Sequence, residues 1–263
     1  MSNSYSFRQL AYAFCVLDWV RRLRKASRKL TLPSREASDG RTNRQLNLSK
    51  LTPSELDFLA NFLQAQQLAA KLLEQLAVQT PDEKLSESVM ALAENQEERF
   101  RPVARLLAKK SGGSTDELAR FEERFQELAS RIEGKGFYEN LMSLYIVFGI
   151  LDDFYSQLAN VQPTSTKNIT NKSLDDYPFS EFVKNVLIEK ISDDEQLRDL
   201  LAMFGRSLVA DVLLHVIAVL NFDHLNDSDP VEFRRLALAE IEQLTHDLIS
   251  NHSARMDELG MSA

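Results

Sequence analysis

Apolar residues return every three or four positions along most of this 263-residue chain, and no stretch shows the two-residue alternation of a strand. The periodic stretches predict helices at about 53–78, 81–110, 115–132, 137–160, 179–191, 193–222 and 230–250. Their starts carry repeated capping signals. Thr52-Pro53-Ser54-Glu55, Thr80-Pro81-Asp82-Glu83 and Ser192-Asp193-Asp194-Glu195 have the form in which a side-chain oxygen accepts a free amide of the first turn while the Glu reaches back to another. Asp229-Pro230-Val231-Glu232 is a close relative of these boxes. Gly112-Gly113 and Gly134-Lys135-Gly136 break the pattern, Pro102 is expected to kink or divide the second helix, and Gln162 to Tyr177 reads as the longest loop of the body.

Two segments are expected at the centre of a bundle. Leu144 to Leu151 carries no charge, and Ser207 to Leu220 is apolar except for Asp211 and His215. A helix that is apolar all round is buried by its neighbours. Gly149 and Gly205 fall on these two helices, where a missing side chain lets two axes approach closely.

Ahead of the bundle, Phe7, Leu10, Phe14, Leu17 and Val20 keep helical spacing before the chain turns basic from Arg21 to Lys29. Residues 1–30 therefore read as a basic amphipathic helix or extension, residues 31–50 as a polar linker, and residues 51–263 as the bundle domain. The apolar part of the head is interrupted by Arg8, Gln9 and Asp18, and its charge follows rather than precedes it. Neither a secretory signal nor a transmembrane segment is expected there.

Composition narrows the class. Only 8 Gly and 7 Pro are present, too few for the turns of a sandwich, barrel or doubly wound sheet, so the expected class is all-α. Hydrophobic residues at 44% and charged residues at 27% exclude wholesale disorder. Cys15 stands alone, which excludes an intramolecular disulfide and every Cys-based metal site; a cytoplasmic location is expected. The net charge of -8 is unevenly spread. Residues 1–50 hold 11 Lys/Arg against 3 acids, while the rest hold 20 against 36. An acidic body repels nucleic acid, whereas the basic head suits an anionic lipid surface or RNA.

Inward carboxylates in a bundle of long helices suggest paired-metal chemistry, which needs bridging carboxylates and an imidazole for each metal, supplied by Glu-x-x-His turns. No Glu precedes any histidine at that spacing: Val212, Asn221, Gln243 and Ile249 stand three residues before His215, His224, His246 and His252. The acids that could still turn inward are Glu94 and Glu97 on one helix, Asp152 and Asp153 on a second, and Asp211 with His215 one turn on. The competing reading places Glu94 and Glu97 in a solvated stripe and pairs Asp211 with His215 or an arginine. His224 with Asp223, Asp227 and Asp229 reads as a turn and helix cap.

Several segments together resemble a known family. Glu94 to Leu107, Gly149-Ile150-Leu151-Asp152-Asp153-Phe154-Tyr155 with Gln157-Leu158-Ala159, Arg206-Ser207-Leu208-Val209-Ala210-Asp211, and the closing His252-Ser253-Ala254-Arg255-Met256-Asp257-Glu258-Leu259-Gly260 are similar to bacterial ferritin-like-fold proteins. These are related to the tRNA hydroxylase that acts on a methylthio-isopentenyl adenosine. The resemblance covers residues 55–263 approximately and implies a ferritin-like bundle with, in its catalytic branch, an oxygen-activating di-iron site. Carried over residue by residue, it sets Gln67 where relatives have a Glu and matches Glu94 to a ligand. It puts Glu97 where a His belongs, leaves Asp152 or Asp153 as the acid of the third helix with Phe148 in place of another, and matches Asp211 to a Glu.

The leading expectation is thus a metal-free, non-catalytic binding or scaffold module, with a homodimer as one arrangement open to it. The alternative is a hydroxylase or oxygenase using a di-iron or dimanganese pair held by Glu94, Glu97, Asp152, Asp211 and His215.

Overall fold

The computed structural model describes residues 48, 51–80, 82–114, 116–175, 179–222 and 231–261. Contacts divide the chain into Met1–Gln45 and Leu46–Ala263, and the described residues all belong to the second unit. The expected basic head therefore lies outside the described residues, as do His224 with its acidic loop and the cap expected at Asp229.

Every regular element among the described residues is helical. α1 (Glu55–Gln79) turns back at Thr80 into α2 (Glu83–Lys110), and the two pack along most of their length. α3 (Asp116–Ile132) packs on α1. α4 (Phe137–Ser143) passes through a π-helical stretch, Leu144–Phe148, into α5 (Gly149–Ala159). α6 (Thr164–Leu174) lies against α2 and α5. α7 (Phe179–Ile191) precedes α8 (Glu195–Val219), which packs on α3, α4 and the π-helical stretch; α9 (Val231–Glu258) packs on α5 and α8.

The core follows from the apolar period. All five residues of the π-helical stretch are buried, as the charge-free run predicts. Phe58 and Phe62 of α1 meet Phe154 and Tyr155 of α5 in an aromatic cluster with centroids 5.1 to 6.3 Å apart. Burial begins earlier than expected: Leu48 is fully buried and Leu51 is 1% exposed, so the polar linker gives way to the bundle before residue 51.

The capping boxes mark the right helices but sit two residues early. Ser54, Asp82 and Asp194 are the caps, accepting from the amides of Asp57, Leu85 and Leu197. Thr52 and Thr80 instead donate to the carbonyls of Leu48 and Leu76 at 2.7 and 2.9 Å, closing the turns before each helix. Pro102 does not divide α2, because Val103 and Leu107 beyond it are buried against the core.

Two expectations are corrected more substantially. The loop expected over residues 162–177 holds α6. Its inward residues Thr166, Thr170 and Ser173 keep helical spacing but are hydroxylic, so an apolar period never shows. Ser173 Oγ donates to the carbonyl of Arg99 at 3.0 Å, and the Thr166 hydroxyl donates to Glu55. The segment Ser207 to Leu220, expected to be buried all round, is buried on one side only, with Ser207, Ala210, Leu214 and Ala218 exposed.

Both helical glycines permit close contacts, of different stiffness. A Cβ on Gly149 would lie 2.6 Å from Arg255 Nε and 2.9 Å from its Cζ, whereas one on Gly205 would meet the mobile tip of Met142 at 2.7 Å. Gly149→Ala is expected to cost about 1–3 kcal/mol by displacing a hydrogen-bonded guanidinium. Gly205→Ala should stay within about 1 kcal/mol of wild type, because a methionine end group can move and Ala favours the helix. Urea unfolding of both variants measures the contrast.

Candidate functional site

The interior of the bundle carries a row of polar side chains drawn from three helices. Gln66 lies on α1 in the same inward stripe as Phe62, Leu63, Ala70 and Leu73, and is 4% exposed; Gln96 lies on α2 with Leu92 and Ala93 and is 3% exposed. The Gln96 Nε2 donates to Gln66 Oε1, and Gln66 Nε2 donates in turn to Asp152 Oδ1 of α5 at 3.4 Å. Gln96 Oε1 accepts no hydrogen bond.

Asp152, half-buried, is the titratable end of this row. Burial, reinforced by the neighbouring Asp153 carboxylate, pushes its pKa up to about 7, against the pull of the Gln66 amide and of Arg99 and Arg255. Asp153, one residue on, faces the other way. It accepts from Arg255 at 2.6 Å and from Asn251 at 3.0 Å, while Arg255 also donates to the carbonyl of Gly149 at 2.9 Å. The closing motif therefore clamps α9 onto α5 just where the π-helical stretch ends.

A second polar knot lies between α1, α3 and α8. Arg124 donates to the carbonyl of Ala218 in the last turn of α8 at 2.6 Å and to Asn61 of α1, and its burial lowers its pKa. His215 packs edge-on against Phe125 at 4.6 Å, with Nε2 unpartnered; burial and the nearby Arg124 cation hold its pKa down to about 3.

The residues singled out from the sequence do not converge. Glu94 and Glu97 are exposed, since the inward position of that turn belongs to Gln96. Gln67 is exposed as well, one residue out of register with the buried Gln66; it shares a shallow surface groove between α1 and α2 with Glu97, Lys71 and Arg101. Asp211 pairs with Arg131 at 3.2 Å rather than with His215. Asp152 alone reaches the interior row. Among the described residues, no three of His, Cys, Asp and Glu gather as a metal site.

The family model described as the ferritin-like domain of actinomycetes matches residues 60–225, more than half of the chain. The chain belongs to this ferritin-like family. No curated protein matches it. The match spans α1 to α8 and so contains both the amide row and the Arg124 knot.

Among the described residues, the inward side chains of this ferritin-like bundle do not match the donor set of a di-iron or dimanganese pair. Two such metals take bridging carboxylates and an imidazole apiece. Here one carboxyl group stands with two neutral amides in place of bridging carboxylates, and the buried His215 is packed on a phenyl ring.

The row carries a pH signature with a definite sign. An acid whose folded pKa is raised holds its proton in the folded state after the unfolded state has lost it, so wild type loses stability as pH rises from about 4 to 7. Asp152→Asn removes this slope. The variant is expected to gain about 1–2 kcal/mol relative to wild type between pH 5 and pH 8. Measuring the difference between the two proteins cancels the opposite slope of the buried His215 and His252.

Proposed function

We propose that this ferritin-like chain is a non-catalytic binding or scaffold module that acts through its surface. The observation that carries the reading is the Gln96–Gln66–Asp152 row, in which hydrogen bonds among side chains occupy the inward positions of α1, α2 and α5. Such a row satisfies its own donors and orders three helices, and it offers one titratable oxygen ligand where paired-metal chemistry needs several. The kinship with tRNA-modifying hydroxylases drawn from the motifs belongs to this proposal as a relation of core pattern, without the reaction. The basic residues before position 51 are the place where an anionic partner would be met, since the remainder of the chain is strongly acidic.

Protein expressed with iron or manganese supplied in the medium and analysed by plasma mass spectrometry is expected to carry well under one metal per chain. A content of about two per chain would overturn the proposal and put a hydroxylase in its place.

A further inference from the structure

The heavy atoms of the interior row leave two hydrogen-bond directions open to it. In the first, Gln96 Nε2 donates to Gln66 Oε1 and Gln66 Nε2 donates to Asp152 Oδ1 at 3.4 Å. Every donor then points toward the carboxyl group, and at the far end Gln96 Oε1, on a buried side chain, accepts nothing. In the second, each amide turns half a revolution about its last bond, which exchanges its oxygen with its NH2 group and leaves the rest of the side chain in place. The Asp152 hydroxyl donates to Gln66 Oε1, and Gln66 Nε2 donates to Gln96 Oε1. The unpartnered oxygen thereby gains a donor, and the three helices keep the same two links at the same relative height.

Protonation of Asp152 decides between them. An ionised carboxylate only accepts, so it excludes the second direction, which would set it against the Gln66 oxygen. A protonated carboxyl group has a hydrogen to give, and the second direction uses it while supplying the donor that Gln96 Oε1 lacks. We propose that the row is a proton-operated relay, in which one proton gained or lost at Asp152 on α5 reverses both amides and so reaches Gln96 on α2. The proton comes from and returns to solvent on the open side of the half-buried Asp152, and only hydrogen bonds are exchanged. The charges acting on Asp152 are Asp153 beside it, Arg99 of α2 and Arg255 of α9. Both arginines are engaged elsewhere, Arg99 on the Asp175 carbonyl at 2.7 Å and Arg255 on Asp153 at 2.6 Å. The fully buried Tyr155 hydroxyl, three residues on, lies within the field of the same carboxyl group. The relay is a property of the interior and stands apart from the surface role proposed above.

Nuclear magnetic resonance of the full chain, labelled at its glutamine side chains, reads the direction of the row as pH is varied across the titration of the Asp152 carboxyl carbon. On the alkaline side one Gln96 NH2 proton is bonded to Gln66. On the acid side that proton loses its acceptor and moves upfield, with the same midpoint as the Asp152 carboxyl carbon, and in Asp152→Asn this change is absent. A Gln96 proton that keeps its bonded position on both sides of the Asp152 midpoint overturns the proposal. Gln66→Met asks the same question through the carboxyl group. In a row of fixed direction Gln66 only donates to Asp152, so its loss raises the Asp152 midpoint by about one pH unit. In a reversing row Gln66 serves both forms of the acid, and the midpoint stays near its wild-type value or falls. The full rise overturns the relay as well, and the wild-type spectra decide the matter even where the methionine variant folds poorly.

Discussion

A polar side chain shut inside a helical bundle costs free energy unless it finds a partner, and this requirement sets the register of the protein's middle. Gln96, Gln66 and Asp152 come from α2, α1 and α5, and each amide proton that reaches an oxygen does so at one relative height of the three helices. Sliding α1 along α2 by one turn would bury the same apolar stripes almost as well, yet it would leave two amides and a carboxyl group unpaired. Burial drives the helices together, and the row decides where they stop. Because burial raises the Asp152 pKa to about 7 and its side chain keeps some contact with solvent, the row also avoids the full cost of an enclosed anion.

The same logic extends outward from α5. Asp152 points into the bundle while Asp153 points at α9, so two successive acids serve two interfaces. Three residues separate them from the end of the π-helical stretch, whose wider turn changes the direction in which following side chains emerge. Gly149 then leaves room for Arg255, which grips both the Gly149 carbonyl and the Asp153 carboxylate. On the far side Arg124 closes the end of α8 and ties it to α1. Each of these contacts is one cation or amide satisfying the loose end of a neighbouring helix.

The fold was largely legible from residue order, because helix periodicity, the break signals and the charge-free run around Ile146 all report on burial directly. The site was less so. Searching for acids and histidines pointed to Glu94 and Glu97, which are exposed, while the inward turn holds Gln96, a residue type with no motif attached to it. The usable signal was positional: Gln66 and Gln96 are polar interruptions of otherwise apolar stripes. Gln67 was one residue away from the right answer, and a shift of one residue turns a helical side chain by about 100°. The caps slipped because Ser54, Asp82 and Asp194, two residues beyond the residue chosen from the box pattern, are equally good capping side chains and accept from the amides three residues on. α8 misled through its composition, because a helix facing a core on one side and an open apolar seam on the other looks, in sequence, like a helix buried all round.

α6 is fastened differently from its neighbours, and this bears on how the molecule opens. Its inward hydroxyls grip Glu55 and the Arg99 carbonyl, and its larger apolar side chains, Ile169 and Leu174, are only partly buried against the core. Detaching it exposes little apolar surface, so that step carries a small heat-capacity change and little sensitivity to denaturant. Helices held by aromatic packing, such as α1 and α5, are released only with the whole bundle. α6 is therefore a separate opening unit whose amides exchange at a rate nearly independent of urea, through motions that leave the core intact.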